Sequence, residues 1–315
     1  MAYQIEIARA VDGSTLDGWY ILKSADIRTG SNGRPFLYAE IADRSGSIEC
    51  RVWNYAGPIS AADAGKVVHL RGEVAEYRGS LQLTAGRIRL AEPGERYDLS
   101  ALVPTAPIDG EAALAEVRAL VDSIADADYR ALAQALLERN AESFRTIPAA
   151  KSVHHAFLGG LLMHTANMLR AADFLAGLYP DAVDRSLLLT GTLAHDLMKR
   201  REFTFSELGL VTGYSVRGEL LGHLVMGAQE AAETARELGT PEEKSVLVQH
   251  MILSHHGEPE HGAAVVPMCA EAELLSLIDQ IDSRMEIYAE SLANVPAGAF
   301  TQRIFALDKK IYRHE

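Results

Sequence analysis

Residues 187–198, LLLTGTLAHDLM, place an adjacent histidine and aspartate, His195 and Asp196, at the end of an otherwise apolar run. Such a run is the core-facing stretch of a helix. Burying an imidazole beside a carboxylate costs several kcal/mol unless another group compensates them. A chain carrying this stretch is therefore constrained to fold so that other groups meet the pair. A metal cation would meet both, and Lys199 follows one turn later.

Partners are available in the rest of the chain. Ten of the eleven histidines lie in residues 154–314. Several fall on apolar stretches: His164 in GGLLMHTANML and His223 in ELLGHLVMG, with His255–His256 closing MILSHH and Asp279 within LLSLIDQIDSRM. A single histidine on an apolar face is ordinarily a core residue satisfied by a neighbour. Five helical segments that each offer an imidazole or a carboxylate form a different pattern. Such ligands suit Mn, Fe, Co or Zn rather than Ca. Asp282 offers a rival carboxylate to Asp279, whose flanks Ile278 and Ile281 suit a buried helix. His250 is off the helical face of His255 and reads as structural, and His261 and His314 read as surface residues.

The chain divides by pattern. Segments starting near residues 18, 34, 46, 65 and 79 are short, apolar-alternating and separated by Gly, Asn, Asp or Ser turns, which predicts five strands. Leu37, Ala39 and Ile41 share a core face with Ile48, Cys50 and Val52. Phe36, Tyr38, Arg51 and Trp53 share the other. Five strands in so short a span suit a small closed barrel of the OB type. Residues 93–108, with their prolines, read as a linker. Beyond it the periodicity is helical near 110–124, 126–143, 156–178, 184–200, 216–238, 241–255 and 269–291, with Asp109 as an N-cap. The expected architecture is thus a multidomain β plus all-α chain: an OB-fold barrel over 1–92, a linker over 93–108 and a helical domain over 109–315.

Charge and composition exclude little beyond the membrane classes. The net charge is −13, yet residues 1–92 carry 11 basic and 11 acidic side chains, so the whole excess falls on the helical part. Cations bound by its carboxylates would reduce that field locally. No apolar run approaches the roughly 20 residues needed to span a bilayer. The opening MAYQIEIARAVDGS lacks the basic and apolar regions of a signal peptide, and the two cysteines are far apart. The expectation is a cytoplasmic protein without a disulfide framework.

The order His164, His195–Asp196, Asp279 resembles the H…HD…D signature of HD-domain metal-dependent phosphohydrolases. His223 and the His255–His256 pair resemble the additions of its two-metal members. The segments KSVHHAFLGGLLMHT, AHDLMK, GELLGH, ILSHHG and LLSLIDQIDSRM, preceded by an OB-like module, resemble the YhaM-type bacterial 3′→5′ exoribonucleases over nearly the whole chain.

The resemblance implies one ion held by His164, His195, Asp196 and Asp279, and a second by Asp196, His223, His255 and His256. Asp196 would bridge them, and Mn is the family's habit, with Fe or Co as alternatives. Lys199 matches the lysine of the family's HD-x-x-K element and would stabilise phosphoryl oxygens; the other reading is a solvated lysine beside Arg200 and Arg201. Met198 stands where relatives commonly have glycine. His154 and His155 match the family's HH and would approach substrate phosphate, or else serve the fold. On the barrel, Phe36, Tyr38, Arg51 and Trp53, with Arg71, resemble a stacking platform for single strands, or else pack on the helical domain or cap the barrel. The implied activity is 3′→5′ hydrolysis of single-stranded RNA, with DNA as a further substrate, to nucleoside 5′-monophosphates. Two alternatives stay open: a phosphohydrolase of small or cyclic nucleotides with a regulatory barrel, and a non-catalytic nucleic-acid-binding protein. A homo-oligomer is also left open.

Overall fold

The computed structural model describes residues 5–30, 33–77, 79–103, 105–150, 157–206, 208–293 and 295–315. Two compact units emerge, Met1–Thr105 with Ser206–Leu210, and Ala106–Phe205 with Val211–Glu315.

The first unit is a closed five-stranded barrel. β1 (Thr15–Thr29), β2 (Pro35–Asp43), β3 (Gly46–Trp53), β4 (Val67–Tyr77) and β5 (Ser80–Leu90) follow the predicted segments closely, in the order β1-β2-β3-β5-β4. Only the β3–β5 pairing is parallel; the other pairings are antiparallel. The alternation read from the sequence sets the register. Leu37 faces Val52, Ala39 faces Cys50 and Ile41 faces Ile48, all buried inside with Leu16, Tyr20, Val68, Leu70 and Leu83. A one-residue slip would turn this whole set outward. The stretch read as a linker contains α1 (Leu99–Leu102), capped by the Asp98 side chain, which accepts from Ser100 N, and lying against β1 and β2. Leu102 and Val103 are buried, so two apolar side chains inside the proline-punctuated stretch are recruited by the fold.

The second unit is helical: α2 (Gly110–Asp122), α3 (Ala127–Phe144), α4 (Gly160–Leu178), α5 (Arg185–Ala194), α6 (Lys199–Glu202), α7 (Val216–Leu238), α8 (Glu242–Ser254) and α9 (Ala270–Leu292). Asp109, Asp126 and Asp184 each accept two backbone N–H groups at the starts of α2, α3 and α5, which satisfies donors a helix N-terminus leaves over. α5 forms the centre. Every residue from Ser186 to Ala194 is buried, and it packs against α3, α4, α8 and α9.

Two features depart from the predicted elements. The segment read as one helix over 184–200 is broken: α5 ends at Ala194, and His195–Met198 form a turn before α6. There Leu197 N donates to Ala194 O and Lys199 N to Asp196 O, an i→i+3 pattern that tightens the chain. A short hairpin, β6 (Phe203–Phe205) with β7 (Val211–Tyr214), follows α6 where no strand was foreseen.

Candidate metal centre

The break after α5 serves the site. A helix continuing past Ala194 would carry Asp196 around to a different side from His195. The turn instead leaves both side chains buried at one point, where α4, α7, α8 and α9 each deliver further groups.

α4 contributes His164, whose Nε2 lies 3.3 Å from His195 Nε2, 3.7 Å from Asp196 Oδ2 and 3.4 Å from Asp279 Oδ1 of α9. On the other side of Asp196, Oδ1 lies 3.3 Å from His223 Nε2 and 3.7 Å from His255 Nε2. The ring of His256 sits 4.4 Å from that of His255 and 5.3 Å from that of His223, centroid to centroid. Two groups with ligand atoms mutually within 4.8 Å result: His164, His195 and Asp196, and His223, His255 and His256. Asp196 turns Oδ2 toward the first and Oδ1 toward the second.

The outer nitrogens of four rings are fixed. His195 Nδ1 donates to Thr192 O at 2.7 Å and His255 Nδ1 to Ile252 O at 2.8 Å. His223 Nδ1 donates to both oxygens of Glu202 at 3.0 Å, and His164 Nδ1 to Asp282 Oδ2 at 2.7 Å. Carbonyl and carboxylate acceptors place a proton on Nδ1, so each Nε2 points inward and carries a lone pair wherever the ring is neutral. Asp279 and Asp282 thereby separate: Asp279 faces the inner nitrogen of His164 and Asp282 the outer one. Asn167 Nδ2 donates to the other oxygen of Asp282 at 3.0 Å.

The inward lone pairs face one another. Asp196 Oδ1, His223 Nε2 and His256 Nδ1 are buried and have no hydrogen-bond partner among the described residues. Acceptors converging in a dry interior repel unless a cation lies among them. The donor set of imidazoles and carboxylates fits divalent transition metals. His164 stands between two carboxylates, Asp279 and Asp282. Burial opposes its charge, but Asp279 and Asp282 outweigh burial and push its pKa up to about 9. Burial, then His195, pushes His255 well below the ordinary histidine value, and burial, then His223, lowers His256. Burial opposes ionisation of Asp196 as well, but Lys199, His195 and His223 prevail and hold its carboxyl well below the usual range.

Lys199 opens α6 and reaches back to Asp196, Nζ to Oδ2 at 2.6 Å. Burial opposes its charge and Asp196 prevails, raising its pKa. Met198, beside it, is a core residue. A cavity of about 570 Å³ leads to the cluster, lined by Lys199, His223, His255, His256, Asp279 and Arg284 among others. His261, read as a surface residue, also lines it. His250 Nε2 accepts from Met268 N at 2.9 Å, a structural tie. His154 and His155 lie outside the described residues.

Residues 161–284 match an HD-domain family profile, 15–91 match a profile for an OB-fold nucleic acid binding domain, and 114–178 also match a helicase-family profile, TraI_2. The "3′-5′ exoribonuclease YhaM" of Shouchella clausii is 36% identical over 301 residues, spanning 95% of this chain and 93% of that one. The proteins of the same name from Halalkalibacterium halodurans and Listeria monocytogenes are each 35% identical across 95% of this chain, covering 93% and 95% of theirs. The chain belongs to the YhaM family.

One supporting residue of this YhaM-family site, Glu202, escaped the sequence reading. Glu202 lies in a charged stretch, KRRE, with no apolar periodicity to betray that it is buried. It is held there by the start of α7: a Cβ at Gly218 would collide with the Glu202 carbonyl. At Gly222 (φ 67°, ψ 168°) the helix is interrupted in a conformation that L side chains rarely adopt. That break lets His223 N donate to Glu202 Oε1 at 3.2 Å while its ring turns inward. Asp282 entered the reading only as a rival ligand; its i+3 spacing from Asp279 was the available signal.

On the barrel, Phe36 pairs with Trp53 and Tyr38 with Arg51 across β2 and β3, on the outer face. The Phe36 and Trp53 ring centroids are 4.8 Å apart, and Trp53 is 49% exposed. The Arg28 guanidinium lies 3.7 Å from the centre of the Tyr38 ring. Arg51 keeps Nε buried without a partner among the described residues. These side chains point away from the interior, so they do not cap the barrel core. Arg71 is not on that strip. It sits on β4 opposite Arg87, with Asp17 at 3.6 Å, and shares a groove with Trp53.

Among the described residues no helix is long and apolar enough to cross a membrane.

Proposed function

We propose that this protein is a metal-dependent 3′→5′ exonuclease that hydrolyses single-stranded RNA to nucleoside 5′-monophosphates in the cytoplasm. The observation that carries the proposal is the convergence of ring nitrogens on the two oxygens of one buried carboxylate, with acceptors that have no hydrogen-bond partner among the described residues. In this reading His164, His195, Asp196 and Asp279 hold one divalent ion, and Asp196, His223, His255 and His256 a second, with Mn as the metal. When bound, such ions polarise the phosphoryl oxygens and activate water at neutral pH.

The chain's own residues supply the rest. Glu202, Asp282 and the Thr192 and Ile252 carbonyls hold the outer ring nitrogens and so orient the rings for ligation. Lys199 sets positive charge beside Asp196, where phosphoryl charge develops. The apolar shell of α5 and α8 excludes bulk water. Phe36, Trp53 and Arg71 of the barrel offer stacking and charge to the single strand, as their exposure allows. The names carried by the YhaM relatives support RNA as the substrate, and the two unpaired cysteines fit a reducing compartment.

The test uses a 5′-labelled single-stranded oligoribonucleotide, with and without a 3′ block, alongside mononucleotides and cyclic nucleotides. Stepwise shortening from a free 3′ end is expected, lost on Asp196→Asn substitution and on chelation. Preferential turnover of the small nucleotides would overturn the choice of substrate. Unchanged turnover by Asp196→Asn would overturn the metal mechanism. Elemental analysis of protein purified without added metal identifies the ions.

A further inference from the structure

Among the described arginines of the helical unit, Arg201, Arg217, Arg236 and Arg284 have no side-chain ion pair or hydrogen bond, and of these Arg284 lines the cavity that holds the cluster. Arg118, Arg139, Arg145, Arg170, Arg185 and Arg200 each face a carboxylate. Arg284 is also exposed. Its helical neighbours at i±3 and i±4, namely Gln280, Ile281, Ile287 and Tyr288, include no carboxylate. The other cation in the cavity, Lys199, is already committed to Asp196. An exposed, unpaired guanidinium in the lining of this cavity is available to an anion from outside.

Where that anion lies follows from the helix and from the direction of cleavage. Arg284 is five residues beyond Asp279 on α9, so it lies about 7.5 Å further along the helix axis. A further nucleotide's phosphate, displaced along the strand from the reacting one, comes within reach of the long side chain. In 3′→5′ cleavage the nucleotide being released ends in a free 3′ hydroxyl, so any second phosphate belongs to the 5′ side. Building on the exonuclease reading, we propose that Arg284 binds the phosphate one nucleotide 5′ of the scissile bond. It thereby selects chains with at least two phosphodiesters over single-diester substrates. Guanidinium geometry suits bidentate phosphate contact.

The trinucleotide UpUpU contains that second phosphate and the dinucleotide UpU lacks it. With the metal-loaded full-length protein, kcat/KM for loss of the 3′ nucleotide is expected to favour UpUpU over UpU by about tenfold, the scale of one charge-assisted hydrogen bond. Arg284→Gln should bring the ratio near one by slowing UpUpU alone, and Arg284→Lys should restore part of it. The unchanged rate on UpU shows that the variant is folded and loaded with metal. A ratio unaffected in Arg284→Gln, or equal losses on both substrates, overturns the assignment while the exonuclease reading stands. A parent enzyme that cleaves neither substrate nor a longer oligomer overturns both.

Discussion

Replacing Glu202 by Gln isolates what a supporting carboxylate does for a ligand histidine. Glu202 Oε1 accepts the backbone N–H of His223 at 3.2 Å and its ring Nδ1–H at 3.0 Å, and Oε2 accepts the same ring proton at 3.0 Å. Burial opposes the charge of Glu202, but these contacts with His223 outweigh it and lower its pKa. Glutamine has the same shape and can leave its amide oxygen where Oε1 stands, so both donors keep an acceptor and the fold is retained. What goes is the negative charge and the second acceptor, and the amide NH2 then faces Nδ1–H donor to donor. Loss of such a support typically costs 10–100-fold in metal affinity, or about 1.4–2.8 kcal/mol. Because one acceptor survives, the lower end applies: about tenfold. Only the ion beside His223 should weaken. Calorimetric titration of metal-stripped protein with Mn should therefore resolve one weakened and one unchanged equivalent, with kcat recovered at saturating metal. Equal weakening of both equivalents, or of neither, would refute the reasoning.

Asp282→Asn makes the mirror perturbation at His164, where a 2.7 Å contact to Nδ1 is the support; the same titration should then show the other equivalent weakened by about 10–100-fold. Trp53→Ala removes the most exposed ring of the barrel strip, and filter binding of a single-stranded oligomer to the metal-free protein should weaken by about 1–3 kcal/mol if a base stacks there. Cys50 is sealed in the barrel, where burial pushes its thiol up to about 12. At pH 8 it remains protonated and shielded, so a chromogenic disulfide reagent should titrate Cys269 in the native protein and both thiols only in denaturant; rapid native reaction of two equivalents would contradict the barrel packing.

The barrel and the helices were legible in the sequence because each rests on local periodicity. Alternation of Leu37, Ala39 and Ile41 specifies a strand whatever the rest of the chain does, and aspartates at 109, 126 and 184 mark helix starts by local hydrogen bonding alone. The inner histidines and carboxylates of the cluster were also visible, since a polar side chain on an apolar face is conspicuous. The break after Ala194 and the burial of Glu202 were hidden. The first preserves the apolar run of a continuous helix, and the second leaves a charged residue in a charged stretch, so neither disturbs the local pattern.

By itself, then, the sequence determined the barrel strands, the longer helices and which polar groups must be compensated, because these follow from the spacing of side chains along the chain. Only the tertiary structure decided which oxygen of Asp196 serves which histidines, that Asp279 faces the inner nitrogen of His164 while Asp282 orients it from outside, and that Glu202 supports His223. Those choices depend on how five helices are rotated against one another, and a rotation is fixed by packing across the core, which no single segment encodes.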